Sequence, residues 1–103
     1  MIMGSISEIN TLIRLPRDFD CNGLEVNKSY SISKDRNRIY PVGIAILIVD
    51  SDWNFYGYGK ITSSNIHKDH TEIEFSILSV FSTEEAAVFK DKFLEAAHQT
   101  GEI

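Results

Sequence analysis

The alternation in residues 71–81, T-E-I-E-F-S-I-L-S-V-F, constrains this chain more than any other feature. Ile73, Phe75 and Ile77 fall on one side of an extended ribbon, and Glu72, Glu74 and Ser76 fall on the other. Period two means a strand with one buried and one wet face. At Ser82 the period changes. Glu85 follows Ser82 at the spacing of a capping box, and Glu84 and Glu85 lie where the positive end of a helix dipole favours carboxylates. Ala86, Phe89, Phe93, Ala96 and Ala97 then recur at helical spacing, and Gly101 supplies a stop. The pattern predicts a helix over 83–99 that lays its phenylalanine side against a sheet.

Upstream, short apolar alternations are separated by turn signals. Residues 8–15 alternate loosely and end at Pro16, and Asn22-Gly23 marks a turn. In 26–33, Val26, Tyr30 and Ile32 share a face, and residues 38–40 read as a short return strand before Pro41. Residues 43–50, G-I-A-I-L-I-V-D, are apolar on both faces, which suits a strand covered on both sides. In 53–62, Trp53, Phe55 and Ile61 share one parity and Tyr56 and Tyr58 the other, with Gly57 and Gly59 marking a bend or a close approach. These elements predict a mainly β (α+β) fold: a small, strongly bent antiparallel sheet or barrel of five to six strands, capped by one C-terminal helix. At 103 residues there is room for a single β-barrel-like domain, with residues 1–7 read as a disordered leader.

The formal net charge of −5 works against non-specific attraction to nucleic acid or anionic lipid. Cys21 is the single cysteine, so no internal disulfide can form and a cytoplasmic setting is expected. No signal peptide is visible, and the longest apolar run, 42–49, falls far below the roughly 18 residues of a membrane span.

Four groups of residues bear chemistry. His67 and His70, with Asp69 between them, carry metal-binding donors. No further ligand stands nearby at a recognisable spacing, so a solvated hairpin turn is the preferred reading. Lys34, Arg36 and Arg38 form a basic hairpin able to hold a phosphate, with Lys28 as a cross-strand neighbour of Arg38 if residues 26–33 and 38–41 pair. Asp35 interrupts that cluster, which favours a solvated tip. Trp53, Phe55, Tyr56 and Tyr58 crowd into one segment, and core or interface packing is preferred over ligand stacking. Cys21 lies beside Asp20, which opposes thiolate formation, so it reads as inert.

The segments N-T-L-I at 10–13, R-I-Y-P at 38–41, G-Y-G-K-I at 57–61 and T-E-I-E-F-S-I-L-S at 71–79 resemble a family of small, uncharacterised Gram-positive bacterial proteins of unknown function. The resemblance spans most of the chain and implies a small β fold, with no assigned activity or site residues. The run I-E-F-S-I-L-S-V-F-S-T-E-E-A also resembles cyclic-dinucleotide-binding PilZ barrels, whose arginine-x-x-x-arginine motif is absent: Arg36-Asn37-Arg38 has another spacing. The expected role is a non-catalytic binding or protein-interaction module. It would use Trp53, Tyr56 and Tyr58 toward a protein partner or a second copy. The alternatives are a small-barrel nucleotide or nucleic-acid binder using hairpin 34–38, with nucleic acid the less expected partner, and a minor metal-dependent enzyme using His67 and His70. No cofactor is expected.

Overall fold

A computed structural model describes residues 8–101, and for Glu8 and Ile9 the backbone alone. The expected leader, 1–7, lies outside the described residues. The elements in chain order are β1 (Glu8–Ile9), β2 (Leu12–Arg14), a 3-10 turn (Cys21–Gly23), β3 (Ser29–Asp35), β4 (Arg38–Ile39), β5 (Ile46–Val49), β6 (Phe55–Ile66), β7 (His70–Val80) and α1 (Thr83–Thr100). Five strands form one sheet in the order β2-β5-β6-β7-β3, and β1 and β4 form a separate two-stranded ribbon. The larger sheet curls into a half-barrel, with β2 and β3 as its free edges.

The long β6–β7 hairpin is the spine. Ile73, Phe75 and Ile77 of β7 are buried together with Ile32, Ile46, Ile48 and Ile61, and Ile13, Leu15 and Tyr40 complete the cluster. The pairing of β3 with β7 follows from the two alternations. Tyr30 opposes Phe75 and Ile32 opposes Ile73 on the apolar face, while Ser31 and Ser33 oppose Glu74 and Glu72 on the wet one.

Two pairings differ from expectation. Residues 8–15 do not form one strand. The chain breaks at Asn10-Thr11, so that β1 runs parallel to β4 and β2 parallel to β5. Nor do 26–33 and 38–41 pair with each other, because β7 takes the whole of β3 as its partner. Lys28 consequently lies away from Arg38, with its ammonium on Glu25 at 2.7 Å.

A bulge in β6 reorders the aromatic segment. Ile48 opposes Gly57, yet Val49 opposes Phe55, so β6 carries one extra residue there. Side-chain parity therefore flips. Gly57, Gly59 and Ile61 line the core side opposite Ile46 and Ile48, while Phe55 and Tyr58 share the reverse face with Val49 and Leu47. Simple alternation had placed Phe55 with Ile61 and Tyr56 with Tyr58, and the inserted residue reverses both groupings.

Helix α1 packs on that reverse face. Phe89 stacks on Phe81 at 4.5 Å between ring centroids and meets Phe55 at 6.0 Å. Phe93 stacks on Trp53 at 4.8 Å and meets Phe55 edge-on at 5.4 Å. Both helix rings are half-buried. The start of α1 is fixed by its capping box: the Glu85 amide donates to Ser82 Oγ at 3.2 Å, and the Ser82 amide donates to Glu85 Oε1 at 2.9 Å. Gly101 ends it in the left-handed conformation, φ 78°.

Candidate functional site

The curl of the sheet brings its two free edges together, and the seam between them is basic. Lys34, near the end of β3, donates from Nζ to the Arg14 carbonyl of β2 at 2.9 Å. Around this bridge lies a cleft of about 300 Å³ lined by Asn10, Arg14, Lys34, Arg36, Arg38 and Trp53. Four of these side chains are cationic.

Each cation is positioned by the fold. Arg14 lies over the Trp53 ring, 4.3 Å from its centroid, and donates to the Ser51 carbonyl at 2.7 Å. Trp53 rests in turn on Phe93, so arginine, indole and phenyl form one stack from the cleft to the helix. The β3–β4 turn that carries Arg36 and Arg38 is pinned from below by Thr71, a fully buried polar residue. Its hydroxyl donates to the Arg36 carbonyl and accepts from the Arg38 amide, each at 2.9 Å. Arg36 sits in the left-handed region at φ 68°, an uncommon conformation for a residue with a side chain. Its amide donates to the Asp69 carbonyl at 2.9 Å, which helps hold it there.

Asp35 offsets part of the charge. Its carboxylate accepts from Arg38 at 2.6 Å and lies 3.7 Å from Arg36. The Arg38 hydrogen bond in particular holds the Asp35 carboxyl below the usual range. Lys34 is pulled the other way: burial, then the neighbouring Arg38 and Arg14 charges, lower its ammonium pKa. Asn10 Oδ1 is buried at the cleft wall with no hydrogen-bond partner among the described residues. The cleft therefore offers several cations, a set suited to a ligand carrying anionic oxygens.

The aromatic segment is divided. Trp53 lines the cleft, but Tyr58 packs edge-on against Phe81 and Phe89 at 5.8 and 6.5 Å. Tyr56 packs against the core on the opposite face and donates its hydroxyl to Asp50 Oδ2 at 2.9 Å. Burial, and then the Asp50 charge it donates to, raise the Tyr56 pKa strongly. Burial likewise raises the Cys21 thiol, with Asp50 and Asp20 adding to the effect. Tyr56 and Tyr58 thus serve two separate packing clusters.

His67 and His70 meet at the β6–β7 turn, their rings stacked at 4.3 Å and 8°. Sequence reasoning missed Arg14, Asn10 and Thr71. Arg14 and Asn10 reach the cleft only because β2 closes toward β3, and no local pattern announces that. Thr71 did carry a signal, since it shares the buried parity of Ile73, Phe75 and Ile77.

No protein-family model matches this chain, and no curated protein matches its sequence. Among solved structures, the crystal structure of protein ytmB from Bacillus subtilis is similar, with a TM-score of 0.61 and 24% identity, covering 79% of this chain and 98% of that one. The likeness is one of fold.

Proposed function

We propose that this protein is a binding module whose ligand is a small phosphate-bearing molecule of nucleotide size, held in the cleft between β2 and the β3–β4 turn. The observation that carries the reading is the convergence of Arg14, Lys34, Arg36 and Arg38 on one cleft of about 300 Å³ in a chain of net charge −5. Lysine and arginine scattered over a surface signify solvation. Four gathered against the overall sign of the molecule are better explained by an anion. The arginines can grip phosphate oxygens in pairs, and Lys34 supplies a further point charge. The cleft volume suits a mononucleotide, and the acidic remainder of the surface opposes a long polyanion.

A protein partner or a homodimer through Tyr56 and Tyr58 is the weaker reading, because both rings are already engaged in packing. The ytmB likeness supports placing this chain among small Gram-positive bacterial proteins of uncharacterised role, and that placement belongs to the same proposal.

Trp53 is the single tryptophan and lines the cleft, so its emission reports directly on occupancy. Titration with a nucleoside triphosphate and with pyrophosphate at low salt should change Trp53 fluorescence saturably. Lys34→Met combined with Arg36→Ala should abolish the change while preserving the circular dichroism spectrum. Absence of any saturable change at millimolar ligand, or an unaltered titration in the double variant, would overturn the proposal. Tighter binding of single-stranded RNA than of the mononucleotide would assign the cleft to nucleic acid instead.

A further inference from the structure

The tip of the β6–β7 hairpin holds a second constellation, made of side chains that do not line the cleft. The His67 amide donates to the His70 carbonyl at 2.8 Å, closing a turn whose two central residues are Lys68 and Asp69. Residues flanking a two-residue hairpin turn face each other directly across it and project to the same side. This explains why the two imidazoles stack. Glu72 stands two residues beyond His70 on β7, hence on the same face, and its Oε1 lies 2.9 Å from His67 Nε2. One ligand atom from each of His67, His70 and Glu72 lies within 4.8 Å of the others. Asp69 Oδ1 lies 2.7 Å from His70 Nδ1. A carboxylate on one ring nitrogen fixes the imidazole and leaves its other nitrogen available, the outer-shell arrangement usual for metal-bound histidine.

We propose that His67, His70 and Glu72 form a site for a divalent transition-metal ion of the zinc class, with Asp69 orienting His70. Two imidazoles and one carboxylate select zinc, cobalt, nickel or copper over magnesium and calcium, which prefer oxygen alone. With bonds of about 2.0–2.2 Å, a tetrahedral ion needs its donors roughly 3.3–3.5 Å apart. The His67–Glu72 pair requires only a slight opening, and the widest pair requires closure by up to about 1.5 Å. All three side chains are partly exposed and can rotate that far. Isolated surface ion pairs would account for the His67–Glu72 and His70–Asp69 contacts one at a time. The turn itself stacks the two imidazoles, and what the single pairs leave unaccounted for is the third donor, Glu72, set within one ligand sphere of both rings. Three protein ligands leave a fourth position for water or for a donor from another molecule.

Untagged protein titrated with zinc chloride by calorimetry, and with cobalt(II) by visible absorption, tests this. The expected result is one saturable equivalent and cobalt bands of tetrahedral intensity. His67→Ala combined with His70→Ala should lose both signals, and Glu72→Gln should weaken binding. Asp69→Asn should weaken binding about tenfold or more, because the orienting carboxylate is gone. Cys21→Ser and His98→Ala should leave both signals unchanged. No saturable equivalent in the wild type, retention of binding in the double histidine variant with its fold intact, or loss of binding in Cys21→Ser would each overturn the assignment.

Discussion

Gly57 lies beside the β6 bulge, where the backbone of β7 approaches closely, and Gly57→Ala tests that reading of it. A Cβ built there would lie 2.0 Å from the Ser79 carbonyl oxygen and 2.9 Å from its carbon. Both are backbone atoms of β7, so no side chain can swing aside. The residue also sits at φ +152°, a region that side-chain-bearing residues rarely adopt. That backbone strain costs of order 1–3 kcal/mol, and overpacking against a fixed strand adds typically about 1–3 kcal/mol. Together they come to a loss of about 2–6 kcal/mol, against roughly 5–15 kcal/mol of total stability for a domain of this size. At about 4–8 °C per kcal/mol, the melting temperature should fall by at least ~8 °C. Gly43→Ala is the control: φ is +82°, but nothing lies within 4 Å of the new methyl, so only the backbone term applies, about 1–2 kcal/mol. Thermal melts followed by circular dichroism would read both. If Gly57→Ala melts within a few degrees of the wild type, or no lower than Gly43→Ala, the glycine is not there for β7 and the bulge argument fails.

Phe93→Ala should destabilise by about 2 kcal/mol, below the roughly 3–5 kcal/mol of a fully buried ring, because Phe93 is half-buried; urea unfolding measures it, and a neutral result would refute the docking of α1 through its aromatic face. Burial opposes the charge on Asp50, but hydrogen bonds from the Asn54 amide and side chain, Tyr56 Oη and the Asp52 amide outweigh it and leave its carboxyl below the usual range. A depressed folded-state pKa contributes stability above the unfolded value of about 3.9 and loses it as pH falls through the folded value. The stability gap between wild type and Asp50→Asn should therefore be constant from pH 5 to 7 (roughly one unit above that value and up) and should narrow in more acid solution; a gap independent of pH down to denaturation would contradict the assignment. Thr71→Val keeps the shape but breaks both hydrogen bonds to the β3–β4 turn, so it should cost about 1–3 kcal/mol and weaken nucleotide binding at the cleft, read by the same Trp53 titration.

The fold was legible where one residue's neighbours are local. The β7 alternation, the Ser82–Glu85 cap and the spacing of Phe89 and Phe93 are properties of a few turns of chain, and the structure places them as the periodicity requires. The aromatic segment was misread because period two assumes an unbroken ladder. The extra residue between Phe55 and Gly57 belongs to the pairing with β5, and a single strand does not reveal it. His67 and His70 were visible as donors, but Glu72 read only as a wet-face residue. Its approach to His67 depends on which residues stand opposite across the hairpin.

The order of side chains along the chain determined a bent β sheet with an amphipathic helix at its end, since burial of apolar faces acts on each segment separately. Tertiary closure alone decided where charge gathers. Arg14 and Lys34 are 20 residues apart in the chain and on opposite edges of the sheet, yet they share one cleft. Charge carries no periodicity that would foretell such a meeting. The curl of the sheet brings the two edges together, and that curl, like the bulges along β6, is a property of paired strands, not of any one of them.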